Sequence, residues 1–185
     1  AKLGDRFTDV TGQSMGGGLA AAASAMTGVR ATTFNAAGLN PATITSRGGT
    51  WDEARMAALI TNYRVAGDPL TEAQEGSGTD PLSAYVSSHH GGWGAYLIGE
   101  IGHQIGAQGG TPVQNSYISG PNAQVLPDAV GTQVTLVAFS EQDGHELSRR
   151  EQMNSENWDW LHNFGAISAG MLMDPNENLG PVHSG

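Results

Sequence analysis

Short runs of β-branched and aromatic residues alternate with small-residue or amphipathic segments along much of the chain. Arg6-Phe7-Thr8-Asp9-Val10-Thr11 reads as a strand, and Leu19-Ala20-Ala21-Ala22-Ala23-Ser24-Ala25-Met26 as a helix whose small side chains permit close approach to a sheet. Gly28 is positioned to end that helix. Val29 to Phe34 reads as a second strand that leaves through a loop from Asn35 to Pro41. Strand, helix and strand within about thirty residues form a βαβ unit, which requires parallel pairing.

The same alternation resumes downstream. Trp51 to Ala58 has helical spacing, with Asp52 and Glu53 near its start where they suit the helix dipole. Leu59 to Val65 follows as a third strand, and Pro69 holds Asp68 in an extended conformation at its exit. Gly131 to Phe139 is a fourth strand with the exit loop Ser140 to Glu146. A polar helix is expected over Ser148 to Asn163, packing through Trp158, Trp160, Leu161 and Phe164, and the tail from Asp174 reads as loop. Residues 72–127 lack long periodic elements and read as a lid-like insertion over the carboxyl edge of the sheet. The expected fold class is α/β: a three-layer sandwich around a mostly parallel sheet, in one domain spanning residues 1–185.

Composition narrows the function classes. With 185 residues, a formal net charge of −10 and only 8 Lys+Arg, the chain lacks the basic footprint of a nucleic-acid-binding protein, and an anionic membrane surface repels it. No apolar run is long enough for a transmembrane segment. The absence of cysteine removes disulfides and thiolate metal sites but leaves the compartment open. Ala1-Lys2-Leu3-Gly4-Asp5-Arg6 is neither an initiator start nor a signal peptide, which leads us to expect a processed chain or a piece of a longer polypeptide.

The chemistry centres on Gly12-Gln13-Ser14-Met15-Gly16, a Gly-x-Ser-x-Gly turn between strand and helix. That pattern is a nucleophile elbow: a turn tight enough to push the serine hydroxyl out at the carboxyl end of a sheet, with flanking glycines removing Cβ atoms that would collide. The following helix aims its N-terminal amides at an oxyanion beside Ser14, and Met15 supplies one backbone donor by position. The overlapping Gly16-x-Gly18-x-x-Ala21 lacks the downstream acidic residue of a dinucleotide site, and Leu19 after Gly18 breaks a phosphate loop. Three strand exits carry Ser14, Asp68 and His145, in the chain order of an α/β-hydrolase triad. His162 and His183 compete for the role of base; His162 reads as a packing histidine inside a helix, and His145 is preferred because it follows a strand. His89 and His90 could converge with Glu100-x-x-His103, but a single Glu-x-x-His is half of a di-iron pattern and His-Glu-x-x-His is absent, so no metal is expected there. Asp174 to Asn178 lacks the glycine and closing glutamate of a calcium loop.

Three stretches together resemble the lipase class 3 branch of the α/β-hydrolases: Val10 to Ala20, Thr33 to Leu39, and Asn62 to Leu70. The resemblance implies Ser14 as nucleophile, Asp68 as the acid and His145 as the base, acting on carboxylic esters of lipids with no cofactor. Gln13 stands where that family usually has histidine. The family also places strands and an oxyanion donor upstream of the elbow, so that upstream half is expected to come from a partner chain, to have been removed, or not to exist, in which case the oxyanion hole is incomplete. A catalytically silent hydrolase-like binding module is the alternative.

Overall fold

The computed structural model describes residues 8–75 and 127–173. Four short strands lie side by side in parallel: β1 (Asp9–Gln13), β2 (Arg30–Phe34), β3 (Ile60–Val65) and β4 (Thr132–Leu136), in that spatial order. Gln13 pairs with Phe34, Phe34 with Tyr63, and Tyr63 with Val134, so the carboxyl ends of the strands share one edge. This is the α/β fold expected from the alternation of elements.

Helices cover both faces. On one face, α1 (Ser14–Thr27), α2 (Pro41–Thr45) and α3 (Glu53–Leu59) enclose Ala21, Ala25, Ala31, Ile44, Met56 and Ile60. On the other, α6 (Trp158–His162) and α7 (Phe164–Met173) enclose Val65, Leu136, Trp158, Leu161 and Ile167. The strands present opposite residues to the two clusters, as the two-residue repeat requires. Across β2, β3 and β4 the Thr33 hydroxyl donates to Asn62 Oδ1 (2.9 Å), and Asn62 Nδ2 donates to Gln133 Oε1 (2.7 Å), satisfying polar groups that the sheet buries.

Several element boundaries differ from expectation, each for a local reason. β1 extends to Gln13 and α1 begins at Ser14, so Gly16, Gly17 and Gly18 are helical. A Cβ on Gly17 would lie 2.7 Å from the Ala36 Cβ, and one on Gly18 2.9 Å from the Ala37 carbonyl oxygen. Close packing on the β2 exit loop therefore outweighs glycine's poor helix propensity. Pro69 begins a helix, α4 (Pro69–Glu75), where its missing N–H costs nothing.

The helix expected from Ser148 to Asn163 is broken into α5 (Arg149–Gln152), a 3-10 turn (Ser155–Asn157) and α6. Asn157 Nδ2 donates to the Glu151 carbonyl (2.9 Å) and Trp158 Nε1 to the Gln152 carbonyl (3.0 Å), consuming acceptors that continued helix would need. Asn163 then takes an extended conformation, φ −77° and ψ 153°, which separates α6 from α7.

Most of the segment read as a lid-like insertion, residues 76–126 of 72–127, lies outside the described residues, as do His89, His90, Glu100, His103, His183 and the Asp174 to Asn178 stretch. At its borders, Gln74 Nε2 donates to the Pro127 carbonyl (2.8 Å). Among the described residues no helix is long and apolar enough to cross a membrane, and no group of three His, Asp or Glu is arranged to hold a metal ion.

Candidate active site

At the end of β1 the chain reverses direction within a single residue. Ser14 has φ +53°, in the left-handed region that a side-chain-bearing residue occupies at a cost of about 1–3 kcal/mol. A Cβ on Gly12 would fall 2.1 Å from the Gly16 carbonyl oxygen, so the turn demands glycine there. Gly16 faces open space, and the expectation that both flanking glycines relieve a collision holds for Gly12 alone. The Ser14 carbonyl accepts from the Ala37 N–H (2.8 Å), which ties this turn to the β2 exit loop. Met15 is the second residue of α1, where first-turn N–H groups have no intrahelical acceptor.

Asp68 follows β3 and is fully buried. Its Oδ2 accepts from both the N–H and the hydroxyl of Thr71, at 2.8 Å each, which caps the start of α4. Its Oδ1 lies 2.6 Å from His162 Nδ1. One carboxylate thus starts a helix with one oxygen and holds an imidazole with the other.

His162 is the last residue of α6 and is 2% exposed. Its Nε2 lies 2.9 Å from Ser14 Oγ. A carboxylate accepts hydrogen bonds only, so the proton on this ring sits at Nδ1 and leaves Nε2 as acceptor for the serine hydroxyl. The arrangement is a hydroxyl, an imidazole and a carboxylate in line, closed off from water at its inner end.

His145 is elsewhere. Its Nδ1 meets Asp143 Oδ1 at 2.6 Å and its Nε2 meets Glu151 Oε1 at 3.3 Å, on a half-exposed surface. The hydrogen bond to Asp143, and then that to Glu151, raises the His145 pKa above its ordinary value. Asp143 is lowered chiefly by His145, and Glu151 chiefly by its hydrogen bonds from Ser148. The structure therefore brings Ser14 and Asp68 together as expected from the sequence, but with His162 between them in place of His145. The physical reason lies in the β4 exit: Phe139 and Glu146 form an antiparallel bridge, which turns this loop back on itself.

A signal for His162 was present in the sequence. Trp158, Leu161 and His162 are spaced i, i+3 and i+4, and all three are buried. A histidine on the apolar face of a helix needs polar partners inside the protein. Here those partners come from residues 94 and 148 positions away.

A family model described as phospholipase-like, the Tle-like phospholipase domain, matches residues 2–140. The matched segment contains Ser14 and Asp68 and ends before His162. No curated protein matches the chain. The match supports a phospholipase-like family and does not extend to the lipase class 3 branch named by motif resemblance. Covering most of its length, it shows that the chain belongs to the Tle-like phospholipase domain family.

Proposed function

We propose that this protein is a serine hydrolase that cleaves carboxylic ester bonds of phospholipids through an acyl-enzyme. The observation that carries the reading is the His162 ring, held 2.6 Å from Asp68 and 2.9 Å from Ser14 Oγ. In this reading Ser14 Oγ attacks the ester carbonyl while its proton passes to His162 Nε2. Asp68 fixes the tautomer and stabilises the imidazolium that forms. The Met15 N–H, at the positive end of α1, donates to the tetrahedral oxyanion.

Collapse of the intermediate breaks the ester C–O bond, and the leaving alcohol takes the proton from His162. Water then attacks the acyl-serine with His162 again as base, releasing the fatty acid and restoring Ser14. No step calls on a cofactor. Family membership supports the lipid class of substrate, and the buried carboxylate supports the role of His162.

The test combines a fluorophosphonate probe with phosphatidylcholine vesicles. Covalent labelling of Ser14, lost in Ser14→Ala, with release of free fatty acid and lysophospholipid, is the expected result. A folded wild-type protein that binds vesicles but neither labels nor releases fatty acid would establish a silent binding module instead. Release of a phosphorylated headgroup would move the scissile bond from carboxylic ester to phosphodiester.

A further inference from the structure

A five-residue helix carries His162, far below the length at which a helix holds its own shape in water. Its last carbonyls have no intrahelical partner. The Trp160 carbonyl is capped locally by the Asn163 N–H (2.8 Å). The next two are met by side chains at the carboxyl edge of the sheet: Asn35 Nδ2 donates to the Leu161 carbonyl (3.0 Å), and Gln13 Nε2 donates to the His162 carbonyl (2.6 Å).

The origin of these two amides matters. Gln13 immediately precedes Ser14, so the residue that orients the nucleophile's backbone also holds the backbone of the imidazole. Asn35 is fully buried just past β2, with φ +41°, a region that asparagine tolerates better than most residues. Its Oδ1 accepts from the Val65 N–H (2.9 Å) at the end of the strand leading to Asp68. One amide therefore links the Asp68 strand to the His162 helix, and the other links the Ser14 strand to the same helix.

We propose that Gln13 and Asn35 are positioning residues that set the His162 ring against Ser14 and Asp68. The inference rests on the reading of Ser14 as nucleophile only where activity is measured; the clamp itself is a claim about the ring's placement. Neither side chain needs to touch substrate. Each fixes a carbonyl flanking the imidazole, and a ring held this way tolerates little displacement.

The test uses Gln13→Met, which keeps length and shape but removes the donor. The wild-type protein is expected to show a low-field proton resonance from His162 Nδ1–H bound to Asp68, absent in His162→Ala. In Gln13→Met that resonance should broaden or vanish. The value of kcat and the rate of fluorophosphonate labelling should fall about tenfold to a hundredfold with KM unchanged, the scale expected of an ångström-level misplacement. Asn35→Asp, which keeps the acceptor for Val65 and loses the donor to Leu161, should act in the same direction. A wild type lacking the low-field proton, or a Gln13→Met protein that retains it, overturns the proposal. An equal loss through KM alone would do so too. If the wild type shows the resonance but never labels, the catalytic reading fails while the resonance of Gln13→Met still decides the clamp.

Discussion

Among the described residues two histidines have both ring nitrogens engaged, and the partners of the two differ. His145 sits at the surface between two carboxylates, Asp143 and Glu151. Both of its nitrogens therefore donate, the charged form is favoured, and neither nitrogen is left to take a proton from a hydroxyl. His162 is buried between one carboxylate and one hydroxyl. That asymmetry holds the proton at Nδ1 and leaves Nε2 as an acceptor, the state the proposed base requires. What separates a charged surface contact from a proposed catalytic base is thus the identity of the second partner, more than the presence of an aspartate at 2.6 Å, which both possess.

The comparison breaks most visibly in activity. Ser14→Ala or His162→Ala should lower kcat on short-chain p-nitrophenyl esters by roughly 10⁴-fold or more, whereas His145→Ala should keep the wild-type rate. The reverse pattern would restore His145 as the base. Asp68→Asn should lower kcat by on the order of 10³-fold to 10⁴-fold, since the amide no longer enforces the tautomer. Its cost in unfolding free energy should be smaller than that of Asp68→Ala, which also loses the α4 cap, by about 1 kcal/mol.

Stability measurements sharpen the contrast further. Ser14→Gly should be more stable than Ser14→Ala by about 1 kcal/mol, because glycine relieves the positive φ while both variants lose the bond to His162. Equal chemical denaturation midpoints would mean that the elbow stores no strain. Arg149 contacts both Glu72 oxygens, at 2.6 and 2.7 Å, on a partly exposed surface. Glu72→Gln should therefore cost no more than about 1 kcal/mol.

The smallest effect is the pH dependence of the His145 contacts. A histidine with a raised pKa contributes stability below its ordinary value of 6.5 and loses it as pH rises through the raised value. Asp143 and Glu151, lowered, contribute above their ordinary values and lose it as pH falls. The melting-temperature gap between wild type and His145→Ala should thus be widest in mildly acidic solution and close on either side. A gap that grows with alkalinity would contradict the assignment of charge.

The sequence disclosed the sheet more readily than the site. Val29 to Phe34 and Leu59 to Val65 carry the β-branched and aromatic residues of buried parallel strands, and both form strands within a residue of their expected bounds. Ser14 and Asp68 were readable because their placement is local, one at a glycine turn and one before proline. The helical spacing showed that His162 lies on an apolar face, but not which partners it meets there, because those depend on where a short helix docks. The side chains that end α5, Asn157 and Trp158, also look like ordinary helix residues until their hydrogen bonds are seen. α4 was obscured for the opposite reason: Pro69 reads as a breaker in sequence and acts as a first helical residue once Asp68 caps it.

The separation between Ser14 and His162 has a consequence for the life of the chain before it is complete. The two side chains are 148 positions apart, and Asp68 comes between them. A ribosome delivers the N-terminal residues first. A nascent chain therefore presents its serine long before the histidine exists. If Ser14 is the nucleophile, synthesis itself keeps it idle: the hydroxyl acquires its base only when almost all of the described fold has been made.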